Sequence, residues 1–221
     1  GRHIDFDTGE GLFQTADEYE RLVADPPNGS DEELSRRQQI ARDTKIAALK
    51  LSQVEMGTEA DDSIAGAPFR HLSMLAQIKS SDEDVWAALR KSGHLEGEPG
   101  KSLELRLKRM RTWIEGLHFP ENELIHIRSE EDMNFTEDLD NNQVLFLGAL
   151  SGEIVNSPWT TEGIEKCIRK TVSEMSIAHK DAYAAIYWAI LTKRFGPRAS
   201  SLLVELDRGM VEGILNHARQ E

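Results

Sequence analysis

Apolar residues in the last third of the chain recur at helical spacing: Ile186, Trp188, Ile190 and Leu191, then Leu202, Leu203 and Leu206. This spacing predicts two amphipathic helices, about Lys180 to Arg194 and Arg198 to Leu206, with a sharp stop at Gly196-Pro197. Glycine tolerates the left-handed conformation that closes a helix, and proline suits the start of the next. The same periodicity predicts helices from about Asn141 to Ile154, Thr161 to Met175 and Arg208 to His217.

Nearer the start, Arg2 to Asp7 alternates like a short isolated strand. Thr15 with Glu18 reads as a capping box opening a helix through about Val23, and Asp25-Pro26-Pro27-Asn28-Gly29 ends it. Ser30 with Glu33 repeats the device for a long helix to about Val54, with Leu34, Ile40, Ala41, Ala48 and Leu51 available for burial. Glu55 to Ala67 is a polar linker. Pro68 then opens a helix from about Phe69 to Ile78, and Ser81 caps another that turns Val85, Trp86 and Leu89 inward and ends at Gly93. From about Ser102 to Gly116 a further helix buries Leu103, Leu105, Leu107, Met110, Trp113 and Ile114 and exposes Arg106, Lys108, Arg109 and Arg111; Pro120 to Asp140 is acidic and irregular. The expected fold is all-α, a helical bundle preceded by a short strand and helix segment. Its divisions are 1–29, a connecting segment, then 30–120 and 121–221, two helical subdomains.

Composition changes this picture in two ways. With 221 residues, 39% of them hydrophobic, the chain has material for a substantial core. Its single cysteine, Cys167, excludes an intramolecular disulfide and Cys-rich zinc sites and fits a reducing, cytoplasmic setting. The longest apolar run, Ala182 to Leu191, is about half of the roughly 20 residues that a membrane helix needs, so no membrane partner is expected, and no leader peptide is read at the start. A net charge of −13 disfavours a protein that coats nucleic acid. The acidic excess sits in 1–65 and 121–158, whereas 66–120 and 159–221 are slightly basic. Local positive potential concentrates at Arg106 to Arg111 and at Lys193, Arg194 and Arg198.

Catalytic motifs fail on context. Gly100-Lys101-Ser102 ends like a phosphate-binding loop, but Leu95 stands where that loop needs glycine and no strand precedes it. Asp5-Phe6-Asp7-Thr8 lacks the parallel sheet a phosphotransferase nucleophile requires. In Gly148-Ala149-Leu150-Ser151-Gly152 the serine falls one place late for a nucleophile elbow. The histidines form no pair at metal-binding spacing, so no metal site and no catalytic residue is assigned.

Three stretches, in order, resemble the C-terminal region of class I lysyl-tRNA synthetases. They are Ile4-Asp5-Phe6-Asp7-Thr8-Gly9 followed by Asp17-Glu18-Tyr19-Glu20-Arg21; Ala67-Pro68-Phe69-Arg70-His71-Leu72 ahead of Leu75, Gln77 and Ile78; and Tyr187, Thr192-Lys193-Arg194, Gly196-Pro197-Arg198 and Leu206-Asp207. The resemblance implies the end of a stem-contact region followed by a cage-like, helical anticodon-binding domain. It also implies an intact enzyme that joins lysine to tRNA(Lys) with ATP and Mg2+. Neither a His-Ile-Gly-His-type nor a Lys-Met-Ser-Lys-Ser-type sequence occurs here, and no doubly wound βαβ pattern is read, so lysine and ATP are expected to bind only a catalytic domain absent from this chain, which itself needs no cofactor.

The implied partner is tRNA(Lys). Comparison with glutamyl-tRNA synthetases implies that Gly196, Pro197, Arg198 and Ala199 face the anticodon, and the local positive charge is expected to turn Lys193 and Arg194 toward phosphate. Arg109-Met110-Arg111-Thr112-Trp113-Ile114-Glu115 is similar to an Arg-x-x-Thr-Leu-x-Glu helix of those enzymes, with Trp113 in place of leucine and Arg109 at the base-reading position. Arg70 and His71 complete the candidate contacts. Each has a plain structural alternative: Arg198 as a surface arginine at a turn, Arg109 as part of a solvated helix face. A helical module that docks protein and never touches RNA is the competing function. Supplied with lysine, ATP, magnesium and tRNA, the chain is expected to form neither aminoacyl-adenylate nor Lys-tRNA; pyrophosphate exchange above background in a pure preparation overturns that expectation.

Overall fold

Helix ends need partners for their free backbone groups, and those partners explain most of the architecture. The computed structural model of the chain describes residues 10–24, 35–52, 67–129 and 134–220. These contain α1 (Glu10–Ala24), α2 (Arg36–Ser52), α3 (Phe69–Ile78), α4 (Asp82–Lys91), α5 (Lys101–Ile114), α6 (Asn141–Ile154), α7 (Thr161–Met175), α8 (His179–Leu191), α9 (Ala199–Glu205) and α10 (Arg208–Gln220). Short 3-10 turns lie at Glu121–Glu123 and Asn134–Asp138. Among the described residues there is no strand, as expected of an all-α chain, and no helix long and apolar enough to cross a membrane. The strand read at Arg2 to Asp7 and the Ser30–Glu33 capping box lie outside the described residues.

The chain divides into two compact units, Gly1–Asn122 and Glu123–Glu221. In the first, an aromatic cluster pins α1 to α3 and α5. Phe13 meets Phe69 edge-on at 5.4 Å between centroids, Trp113 lies 5.4 Å from Phe13 and 4.7 Å from Phe119, and the Arg70 guanidinium covers the Phe13 ring. Rings in such geometries contribute about 0.5–1.5 kcal/mol per pair beyond their buried area. Glu20 accepts the Phe69 N–H, and burial raises its pKa above the usual carboxylate range despite that bond. Asp17 accepts from Arg70 at 2.8 Å.

Ser81 caps α4 by accepting from the Asp84 N–H at 3.1 Å, and Gly93 closes the helix at φ +74°. Trp86 is buried with Val85 and Leu89, whereas Trp113 is only half-buried.

Expectations for five further residues of this unit change. Thr15 does not cap a helix: α1 starts at Glu10, and the Thr15 hydroxyl donates back to the Gly11 carbonyl at 2.9 Å, four residues earlier. Ile40, expected inward, is 60% exposed. Leu105 is exposed because α5 buries only the stripe Leu103, Leu107 and Met110. Arg106 and Arg111, expected in solvent, turn inward. Arg106 donates to the Ala67 carbonyl at 3.0 Å, and Arg111 donates to the carbonyls of Ala76 and Lys79 at the end of α3 while pairing with Asp82.

The second unit has α10 packed along α6, with α7 against both α6 and α9. Its core is Phe146, Leu147, Leu150, Ile154, Ile164, Ile168, Ile186, Ile190, Leu202, Leu203, Ile214 and Leu215. Asp140 and Gln143 form a reciprocal capping box on α6, Thr160 caps α7, and Asp207 accepts from the Met210 N–H near the start of α10.

The stretch Pro120 to Asp140, read as irregular, holds the unit's main polar anchor. Arg128 is 5% exposed; its side chain donates to the carbonyls of Ala189 at 2.8 Å and Trp188 at 2.7 Å, and its backbone N–H donates to Ile190 at 2.8 Å. Trp188, half-buried, donates its indole N–H to Phe135 at 3.1 Å. With two charge-assisted bonds at roughly 1.5–3 kcal/mol each, Arg128→Ala is expected to destabilise the second unit by about 3–5 kcal/mol in urea unfolding. Arg109→Ala, on an exposed face, should stay within about 0.5 kcal/mol of wild type, and comparable losses for the two variants would remove Arg128 from this role.

Candidate nucleic-acid interface

The joint between α8 and α9 differs in mechanism from the Gly-Pro stop expected of it. Helix α8 ends at Leu191, and the left-handed residue is Thr192, at φ 56°. Gly196 is needed for closeness: a Cβ there would lie 2.8 Å from Leu191 Cδ1 and 3.1 Å from Tyr187 Cδ1. Pro197 does not open α9 either. Arg198 is the N-cap residue, and the Pro197 carbonyl accepts the Tyr187 hydroxyl at 2.7 Å. Burial pushes the Tyr187 phenol up to about 12, keeping the donating proton in place. Ala199 is buried, Pro197 half-buried and Gly196 exposed.

The cations of this joint divide by role. Lys193 Nζ donates to the Leu124 carbonyl at 2.6 Å. Arg194 donates to the Asp138 carbonyl at 2.6 Å and lies over the Trp188 ring at 4.9 Å. These two brace the turn. Arg198 leaves its side chain 64% exposed, with a 3.5 Å contact to Glu165.

Beside Arg198 runs an open groove of about 560 Å3 lined by Thr161, Glu162, Glu165, Lys166, Arg169, Lys170 and Arg198. Glu165 organises it. One carboxylate oxygen accepts from Arg169 at 2.8 Å; the other accepts from Ser200 at 2.9 Å and faces Arg198. Burial alone would raise the Glu165 pKa, but the Ser200 and Arg169 hydrogen bonds and the nearby guanidinium groups bring it below the usual range. Lys170 pairs with Glu153 at 2.7 Å, whereas Lys166 makes no hydrogen bond or ion pair with the described residues. The sequence reading missed Lys166, Arg169 and Lys170. Their i, i+3 and i+4 spacing on α7 was the available signal, since it puts three cations on one helix face.

The remaining candidates belong to the first unit. Arg109 is exposed on α5 and has no hydrogen bond or ion pair with the described residues. Arg70 is held by Asp17 and the Phe13 ring, so it serves the α1–α3 contact. His71 lies 3.4 Å from the Ser92 hydroxyl, and its ring is tilted 59° to that of His94 at 5.0 Å between centroids. Among the described residues no group of His, Cys, Asp and Glu could hold a metal ion. Cys167 is buried and free of any disulfide, its thiol donating to the Glu153 carbonyl at 3.7 Å.

Comparison with known proteins gives a consistent result. The chain is 24% identical to a lysine–tRNA ligase of Picrophilus torridus over 94% of its own length and 38% of that protein's. It is 27% identical to the lysine–tRNA ligase of Archaeoglobus fulgidus over 93% of this chain, and 26% identical to that of Methanocaldococcus jannaschii over 95%. The chain is a relative of the lysine–tRNA ligases. It spans about two fifths of the length of these relatives, in agreement with the resemblance to the C-terminal region of the class I enzymes. No protein-family profile matches it.

Gly196→Ala tests the joint. The added methyl has no room against Leu191 and Tyr187, so a loss of about 1–3 kcal/mol is expected in denaturant unfolding, as for an overpacked core site. Gly152→Ala, where a Cβ meets nothing within 4 Å, should be neutral or stabilising. Equal stability of the two variants would mean that the 187–197 contact does not constrain the turn.

Proposed function

We propose that this chain is the anticodon-recognising part of a lysine–tRNA ligase, and that it binds the anticodon loop of tRNA(Lys) through the α8–α9 joint and the adjoining groove. The observation that carries the reading is the groove itself: on a chain of net charge −13, Lys166, Arg169, Lys170 and Arg198 gather along one open surface. Charge at this density matters within about 8–10 Å at physiological salt, the range over which a phosphate backbone docked in the groove would feel it. Arg198, planar and 64% exposed, suits stacking on or bidentate bonding to an unpaired base, and Lys166 suits a phosphate. In this reading ATP, Mg2+ and lysine meet in the part of the relatives that this chain does not span. Arg109 on α5 is a second proposed base contact. Arg70 and His71 contribute by fixing the first unit, and Lys193 and Arg194 by bracing the turn.

Binding of tRNA(Lys) and of a transcript with an altered anticodon, measured across a salt series, tests the proposal. The wild-type chain should prefer tRNA(Lys) and bind more weakly as salt rises. Arg198→Ala should cost on the order of 1–3 kcal/mol and blur discrimination, while Lys166→Ala should weaken both RNAs alike and flatten the salt slope. Indifference of the wild-type chain to the anticodon would sink the reading, and indifference to RNA altogether would return the chain to the class of protein-docking helical modules.

A further inference from the structure

Phe195 is 54% exposed, whereas every other phenylalanine, tryptophan and tyrosine among the described residues is buried or half-buried. Its neighbours are fixed on both sides. Thr192 takes the left-handed cap, Lys193 is tied to Leu124, Arg194 to Asp138 and the Trp188 ring, Gly196 packs without a side chain against Tyr187, and Pro197 accepts the Tyr187 hydroxyl. A loose turn would let the ring collapse onto nearby apolar surface. This turn is braced from Thr192 to Pro197 and still presents the ring to water, which is the condition for a stacking platform that loses little freedom on binding.

The surroundings identify the occupant by chemistry. Three residues along the chain stands the exposed Arg198, and beyond it the groove of Lys166, Arg169 and Lys170. An exposed ring three residues from Arg198, which itself lines the groove, suits a ligand with a planar ring and an anionic chain: an unpaired nucleobase with its phosphates. An apolar protein surface would be served poorly by a single ring flanked in sequence by Arg194 and Arg198. We propose that Phe195 is a base-stacking residue of this chain, on which one unpaired base of an RNA loop stacks while its phosphates pass along the groove. The inference rests on the RNA-loop reading above and adds to it a stacking contact outside the guanidinium and lysine contacts.

The test uses the 221-residue chain and a hairpin RNA carrying the tRNA(Lys) anticodon loop, with 2-aminopurine substituted in turn at each loop position. Wild type should quench 2-aminopurine at one or two positions. Phe195→Ala should abolish that quenching and weaken binding roughly 10–100-fold, the loss expected for one stacked base, with the salt slope unchanged because no phosphate contact is removed. Phe195→Leu keeps apolar bulk without a π face and should behave like the alanine variant, whereas Phe195→Tyr should retain both affinity and quenching. Circular dichroism melts of all three should match wild type. Wild-type affinity in the alanine or leucine variant overturns the stacking role and leaves the RNA-binding reading intact. A melt of the leucine variant well below wild type overturns it as well, by assigning the ring to stability. Failure of the wild-type chain to bind the hairpin overturns both.

Discussion

Carbonyl groups left over at helix C-termini are the constraint on which this structure turns, and sequence-distant arginines satisfy them. Arg111 closes the end of α3, Arg128 the end of α8, and Arg208 donates to the Val155 carbonyl at the end of α6 at 2.7 Å. A guanidinium suits this work because its donors lie in one rigid fork and it keeps its charge. Each of these contacts fixes a helix end in space. For α8 the consequence is direct: the turn that carries Gly196, Pro197 and Arg198 leaves from the carbonyls that Arg128 holds.

The same economy explains how an acidic chain can present a cationic site. Many of its arginines are committed to carbonyls or carboxylates, so counting basic residues along the sequence overstates the charge offered to a ligand. The cations left to the groove are defined by geometry: Lys166 without a hydrogen bond or ion pair among the described residues, Arg198 mostly exposed, and Arg169 sharing Glu165. Glu165 sets the spacing of this set by holding Arg169 and Ser200 together from two helices. An acidic residue in the groove therefore arranges the cations rather than opposing them.

Much of the helical plan was legible because its signals are local. Helix α3 opened after Pro68, α4 was capped by Ser81, and α6 and α7 began and ended where periodicity placed them. The failures share a different cause. Thr15 has the right neighbour for a cap but lies inside α1, where its hydroxyl finds a carbonyl one turn back. Arg106 and Arg111 read as solvated because nothing local reveals the carbonyls of Ala67 and Ala76 that face them. Arg128 was hidden in an acidic stretch, although its standing as the lone lysine or arginine of 121–158 was a usable clue. The stretches that carried the family resemblance turn out to be contacts: Asp17 and Glu20 meet Arg70 and Phe69, and Tyr187 meets Gly196 and Pro197.

The separate cores of the two units also bear on how the chain unfolds. The aromatic cluster around Phe13 and Trp113 belongs wholly to one unit, and the aliphatic interior around Leu150 and Ile190 wholly to the other. Trp113 in the one and Trp188 in the other give each core an indole of its own, so local order in each unit has a separate spectroscopic reporter.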